Sequence, residues 1–240
     1  MKAWQKYSAE LLGTFVLVFV GTTAIVGAIR MDAPILVVIP FAFGLALLAG
    51  LYAFSEVSGG HYNPAVSLAM FLDGRLNATD LLGYWVAQFA GALLGSLVLL
   101  LATSKADVAA TATNPSSNGT AFVIEVAFTA IFVAVILSSS LSERHSGTAL
   151  IAIPLTLAAV HFAAIPFSGS SVNPARSLAP DVVGNTWHGL WIYFLGPACG
   201  ATIAWLAYTV VVRGDTNLRD DYERIEAEVE VEIEGGHEDD

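Results

Sequence analysis

Two asparagines draw attention for the chemistry their position allows. Asn63 and Asn173 each head an Asn-Pro-Ala tripeptide, at 63–65 and 173–175. Asparagine caps helix N-termini, and proline is favoured at the first helical position. Asn63, Pro64 and Ala65 therefore predict one helix start, and Asn173, Pro174 and Ala175 another. A loop of small residues precedes each copy, Ser58-Gly59-Gly60-His61-Tyr62 in one case and Ser168-Gly169-Ser170-Ser171-Val172 in the other. An asparagine that caps with its oxygen keeps amide N–H donors to turn elsewhere. Two such N-termini facing each other inside a membrane would make an electropositive, hydrogen-bond-donating spot where lipid offers no partner.

The composition places these helices in a membrane. The chain has 240 residues, of which 55% are hydrophobic and 13% charged, against about 25% charged in soluble domains. Its net charge of −11 is localised: residues 215–240 hold twelve Asp/Glu and two Lys/Arg, and residues 1–214 hold nine and eight. The tail, with its alternating Glu226–Glu234, reads as a solvated acidic segment. Cys199 is the single cysteine. It lies in an apolar run and is expected to be inert core. The apolar run from Leu11 to Ile29 is too long for a signal peptide, whose apolar region is about 7–15 residues.

A spanning helix needs about 20 mostly apolar residues. Six stretches qualify: 8–29, 34–54, 80–102, 120–141, 148–167 and 188–212. The segments 63–72 and 173–183, opened by the two tripeptides, are too short to span. Short Pro-interrupted segments at matching places in two halves point to a transport site near the bilayer midplane. The halves match elsewhere. Glu10 and Glu125 sit alike in the first and fourth spans, and the pair Gly91/Gly95 parallels Gly196/Gly200. Three spans per half is an odd number, so the second half must enter upside down. The expected architecture is all-α: a first repeat over 1–102, a connecting loop over 103–119, a second repeat over 120–212 and the tail over 213–240. With both termini inside, Lys2, Lys6, Arg75, Arg144 and Arg213 face the cytoplasm, and Arg30 and Lys105 face out, as the positive-inside bias requires.

These residues carry a family resemblance. The stretch Ser58-Gly-Gly-His-Tyr-Asn-Pro-Ala-Val66 resembles the first re-entrant motif of the major intrinsic protein family, the aquaporins and glycerol facilitators. Ser171-Val-Asn-Pro-Ala-Arg-Ser177 resembles the second. Ala9–Phe15, Tyr84–Ala92 and Trp191–Pro197 resemble the family's first, third and sixth helices, and the likeness runs from about residue 8 to 212. It implies a passive channel for bidirectional water flow that excludes protons and ions, with a broader neutral-solute pore (glycerol, ammonia, carbon dioxide) as the alternative, a homotetramer in the cell membrane with one pore per subunit, and no cofactor or metal. Asn63 and Asn173 would donate to one passing water oxygen, so that its hydrogens point away from the centre and block proton hopping.

The resemblance also implies a constriction. Arg176, a charge that costs at least about 2.5 kcal/mol at membrane depth, would sit there with Phe43, His161 and Ser170. These lie 20, 12 and 3 positions before their respective asparagines. Phe43 would be an apolar wall, His161 and Arg176 donors to water, and Ser170 a small residue offering its carbonyl. The aperture would be about one water wide, roughly 2.8 Å. The carbonyls of Gly59, Gly60, His61 and Tyr62, and of Gly169, Ser170, Ser171 and Val172, would form a ladder of acceptors. Glu10 and Glu125 would brace these loops from behind. Ser177, Tyr193 and Phe194 match water-type members, whereas Asp181 fits neither water nor glycerol types. An ion-coupled transporter, with Glu10 and Glu125 as proton relays, is the rival class. No nucleophile–base pair or metal-ligand cluster points to an enzyme, and nothing points to nucleic acid.

Overall fold

A computed structural model describes residues 1–140 and 146–213. The readings made for Arg144 and for the acidic tail beyond Arg213 fall outside the described residues. Among those described there are nine α-helices and no strand: α1 Ala3–Arg30, α2 Ile35–Ser58, α3 Pro64–Leu72, α4 Ala78–Ala102, α5 Lys105–Ala110, α6 Asn118–Ser139, α7 Ser146–Ser168, α8 Pro174–Gly184 and α9 Ile192–Tyr208. A π-helical turn, Thr209–Arg213, continues α9. Six helices (α1, α2, α4, α6, α7 and α9 with its π turn) are long and apolar enough to cross a membrane. The protein is an all-helical membrane protein.

The neighbours repeat. In the first half α1 packs on α2 and α4; in the second α6 packs on α7 and α9, and α2 meets α7 across the middle. Glycines permit the closest approaches. A Cβ on Gly91 would overlap the carbonyl of Leu11, and one on Gly200 would lie 2.5 Å from that of Val126. Leu11 and Val126 directly follow the two glutamates, so Gly91 corresponds to Gly200. The pairing of Gly91 with Gly196 is thus corrected by one helical turn: Gly196 packs one turn earlier, on Glu125 and Phe122.

Three further expectations change. The connecting loop contains a helix, α5, capped by Ser104, whose Oγ accepts from the Asp107 N–H at 3.2 Å. The sixth span begins as α-helix at Ile192, not 188, because the chain turns at Gly189 in the left-handed region (φ 64°). Cys199 is exposed, not core, because it lies on the flank of α9 turned away from the buried Gly196 and Gly200.

The charges sort by end. Lys6 bonds Asp80, and both line a polar vestibule with Arg75. Arg75 and Arg213 share Asp73 and both stack on Tyr208. At the other end Arg30 pairs with Asp107 at 2.9 Å.

Candidate functional site

Helices α3 and α8 start as the tripeptides require. Asn63 Oδ1 accepts from the Ala65 N–H at 2.9 Å. Asn173 Oδ1 accepts from the N–H groups of Ala175 and Arg176 at 3.0 and 3.3 Å. The two caps meet: Asn63 Nδ2 donates to the Val172 carbonyl at 2.7 Å, and Asn173 Nδ2 donates to the Tyr62 carbonyl at 3.0 Å. This reciprocal pair sets the N-termini of α3 and α8 against each other. It uses one hydrogen of each amide and leaves one free to face the adjoining cavity. The Tyr62 and Val172 carbonyls each keep one lone pair.

The loops before the caps turn their donors backwards. Glu10 accepts from the His61 and Tyr62 N–H groups at 2.9 and 2.7 Å, from Ser58 Oγ at 2.7 Å and from Gln88 Nε2 at 2.7 Å. Glu125 accepts from the Ser171 and Val172 N–H groups at 2.8 and 2.7 Å and from Ser168 Oγ at 2.7 Å. Both carboxylates are fully buried. The loop bends through the left-handed region at Gly59, Gly60 and Tyr62, and equivalently at Gly169, Ser170 and Val172. At Val172, a β-branched residue with φ 47°, such backbone costs of order 1–3 kcal/mol. The Glu125 bonds to Ser171 and Val172 offset that strain. With the N–H groups satisfied behind, the carbonyls of Gly59, Gly60, His61, Gly169, Ser170 and Ser171 find no donor among the described residues.

A hydroxyl frame holds the rest. Tyr84 and Tyr193 donate to the Ser58 and Ser168 carbonyls at 2.7 and 2.6 Å. His61 Nδ1 meets Ser67 Oγ at 3.0 Å. Ser177 Oγ donates to Ser171 Oγ at 2.7 Å, and Ser171 donates on to the Asn173 carbonyl at 2.7 Å.

One narrow cavity, about 20 Å³ and so wide enough for about one water, lies beside the meeting point. Its walls include Leu17, Phe43, His61, Asn63, Phe132, His161, Ser171, Val172, Asn173 and Arg176. His61 also lines the vestibule that holds Lys6 and Arg75. The structure brings Phe43, His161 and Arg176 together. The Phe43 and His161 ring centroids lie 4.8 Å apart, and the Arg176 guanidinium stands 5.2 Å from the Phe43 centroid. Ser170, next to Ser171 in the chain, is fully buried and is not among the cavity's lining residues.

Two details escape sequence reasoning. Arg176 is held by the Thr111 carbonyl at 3.0 Å, which α5 positions. His161 Nδ1 lies 3.0 Å from the Leu157 carbonyl. A carbonyl can only accept, so Nδ1 carries the hydrogen. Neutral His161 then presents a lone pair at Nε2, an atom with no partner among the described residues. The donor role expected of His161 would need a second hydrogen, on Nε2. Arg176 supplies the donors. Asp181 is fully buried on α8 and accepts from Thr186 Oγ1 at 2.9 Å.

Six spanning helices and two half-helices meeting at their N-termini beside a cavity of mixed apolar and polar lining define a membrane channel. The family model described as "Major intrinsic protein" matches residues 1–208, and the chain belongs to that family. It is 38% identical over 208 residues to glycerol uptake facilitator protein-like 6 of Lactiplantibacillus plantarum, covering 83% of this chain and 94% of that one. It is 39% identical over 215 residues to aquaporin Z of Brucella melitensis, with the same coverage. Aquaporin-4 of Mus musculus is 35% identical over 225 residues, 90% of this chain and 70% of its own. The X-ray structure of the aquaglyceroporin from Plasmodium falciparum shares the fold, with TM-score 0.77 over 88% of this chain and 97% of that chain at 22% identity. The chain is a channel, not an enzyme.

Proposed function

We propose that the protein is a passive, bidirectional water channel that excludes protons and ions. The observation that carries this reading is the reciprocal bond between the two caps. It leaves a second N–H on each amide, and both asparagines line one cavity. A water passing there accepts from both, so its own hydrogens point along the file and away from the centre. A hydrogen-bonded wire of one polarity cannot form through it. Two helix N-termini add a positive potential against cations.

Selectivity for water follows from the group Phe43, His161 and Arg176. One apolar wall, one acceptor and one donor leave the two-way polarity a water needs. The bulk of two rings closes the way to a polyol. The carbonyls of Gly59, Gly60, His61, Gly169, Ser170 and Ser171 offer a ladder of acceptors on either side of the centre, and Glu10 and Glu125 hold those loops. The name of the aquaporin Z relative supports water; that of the glycerol facilitator-like relative points to a wider neutral-solute pore. The Phe43–His161 contact favours the former. The protein sits in the cell membrane with both termini in the cytoplasm, on the bias of Lys2, Lys6, Arg75 and Arg213. It assembles as a homotetramer with one pore per subunit.

The test is osmotic shrinkage against glycerol uptake in proteoliposomes. The native protein is expected to pass water and little glycerol, and His161→Gly with Phe43→Trp to raise glycerol uptake. Glycerol entry as fast as water entry in the native protein, or no change in the double variant, overturns the filter.

A further inference from the structure

We infer that Gly21, on α1 behind the cavity wall, sets the width of the constriction by providing the socket in which the Phe43 ring rests. This inference rests on the water-channel reading. A Cβ on Gly21 would lie 2.7 Å from Phe43 Cδ1 and closer still to Cε1 and Cζ. Carbon atoms pack at about 3.5–4.0 Å, so the ring retreats this far only because residue 21 has no side chain. The ring is 1% exposed. In front of it stand His161, at 4.8 Å between centroids, and the Arg176 guanidinium at 5.2 Å. A methyl group behind the ring drives it towards those two groups. A shift of roughly 1 Å is a large part of an opening one water wide, about 2.8 Å.

The face of α1 turned to the cavity has a simple pattern. Gly13 seats the Tyr62 ring, Leu17 lines the cavity, and Gly21 seats Phe43. These residues are four apart and share one helix face. The matching positions on α6, counted from Glu125 as these are from Glu10, are Phe128, Phe132 and Ile136. Phe132 lines the cavity as Leu17 does, and Ile136 is buried. So the second half places its bulk on the long helix and a small residue, Val172, in the loop. The first half reverses this, with glycines on α1 and large rings at Tyr62 and Phe43. Gly21 is a positioning residue that acts through Phe43.

The experiment compares the native protein, Gly21→Ala, Gly21→Ala with Phe43→Leu, and Gly27→Ala in proteoliposomes matched for inserted protein. Gly27 lies on the same helix, and a methyl group added there would meet nothing within 4 Å. Gly21→Ala is expected to cut water permeability towards the protein-free background. Adding Phe43→Leu is expected to restore it, because leucine is smaller than the ring, and Gly27→Ala to leave it unchanged. Native permeability in Gly21→Ala overturns the inference, as does a loss that Phe43→Leu does not restore. If Gly21→Ala alone fails to insert, an inserted and permeable double variant supports the socket, and a double variant that also fails overturns it. Native and Gly27→Ala vesicles that pass no water sink the functional reading instead.

Discussion

The loop ending at Asn63 and the loop ending at Asn173 share a skeleton and its nearest supports but not what stands around them. Each has a serine whose carbonyl takes a tyrosine hydroxyl, a buried glutamate that takes two backbone N–H groups, and three left-handed residues in the same order. The shared parts all serve to turn carbonyls outwards and bring the two caps together. The differences lie around them. Glu10 is backed by Gln88, four residues after Tyr84. The matching position, four after Tyr193, is held by Pro197, and no side-chain amide among the described residues reaches Glu125. The residue three after the cap is Val66 in one half and Arg176 in the other. The centre is therefore built from what the halves have in common, and the constriction from what they do not.

Glu125→Gln is expected to give the largest effect and to exceed Glu10→Gln. In Glu10→Gln, Gln88 can rotate its amide and offer its unpartnered Oε1 to the new NH₂ group. At residue 125 no such partner stands by, and the new NH₂ faces the N–H groups or the serine hydroxyl. Each orphaned buried donor costs about 1–3 kcal/mol. Thermal unfolding in detergent should show a clearly lower Tm for Glu125→Gln than for Glu10→Gln; equal losses would mean that Gln88 does not distinguish the halves.

How much of this can be read from the sequence follows the same division. The six spans, both half-helices and the asparagine caps are legible because hydropathy length and Asn-Pro spacing are local signals. Phe43, His161 and Arg176 come from family resemblance, since their convergence depends on how α2, α7 and α8 cross. Helix α5 is missed, although Ser104 and Asp107 at a spacing of three are a start signal. The glycine register slips because Gly91, Gly95, Gly196 and Gly200 have equal spacing. Tyr84 and Tyr193, each seven residues before Gly91 and Gly200, fix it correctly. The hydrogen placed on His161 Nδ1 is out of reach, because it depends on where the Leu157 carbonyl points.

Arg176→Val gives the second half the residue of the first. It removes the donor side of the constriction and frees space beside Phe43. Glycerol uptake should rise while water passage persists; unchanged uptake would place the constriction elsewhere. Tyr84→Phe and Tyr193→Phe should each leave one buried carbonyl unpaired and cost about 1–3 kcal/mol. A stability loss in one variant but not its counterpart would break the equivalence of the two frames.

The smallest effect is expected at Asp107, outside the spans. Hydrogen bonding from the Ser104 hydroxyl, and then pairing with Arg30, hold its carboxylate below the usual Asp range. A lowered value means that the stabilisation is fully present above the unfolded-state pKa and fades as pH falls through the folded-state value. Asp107→Asn should thus change Tm slightly at neutral pH, with the difference from the native protein vanishing in strong acid.

The central claim is that two amides set cap to cap leave a path which water crosses and a proton does not. It is tested most directly by following the lumen pH of proteoliposomes under a pH gradient while osmotic shrinkage is recorded. Fast shrinkage with the gradient held is the expected result. Fast shrinkage with a gradient that collapses through the protein would contradict the account.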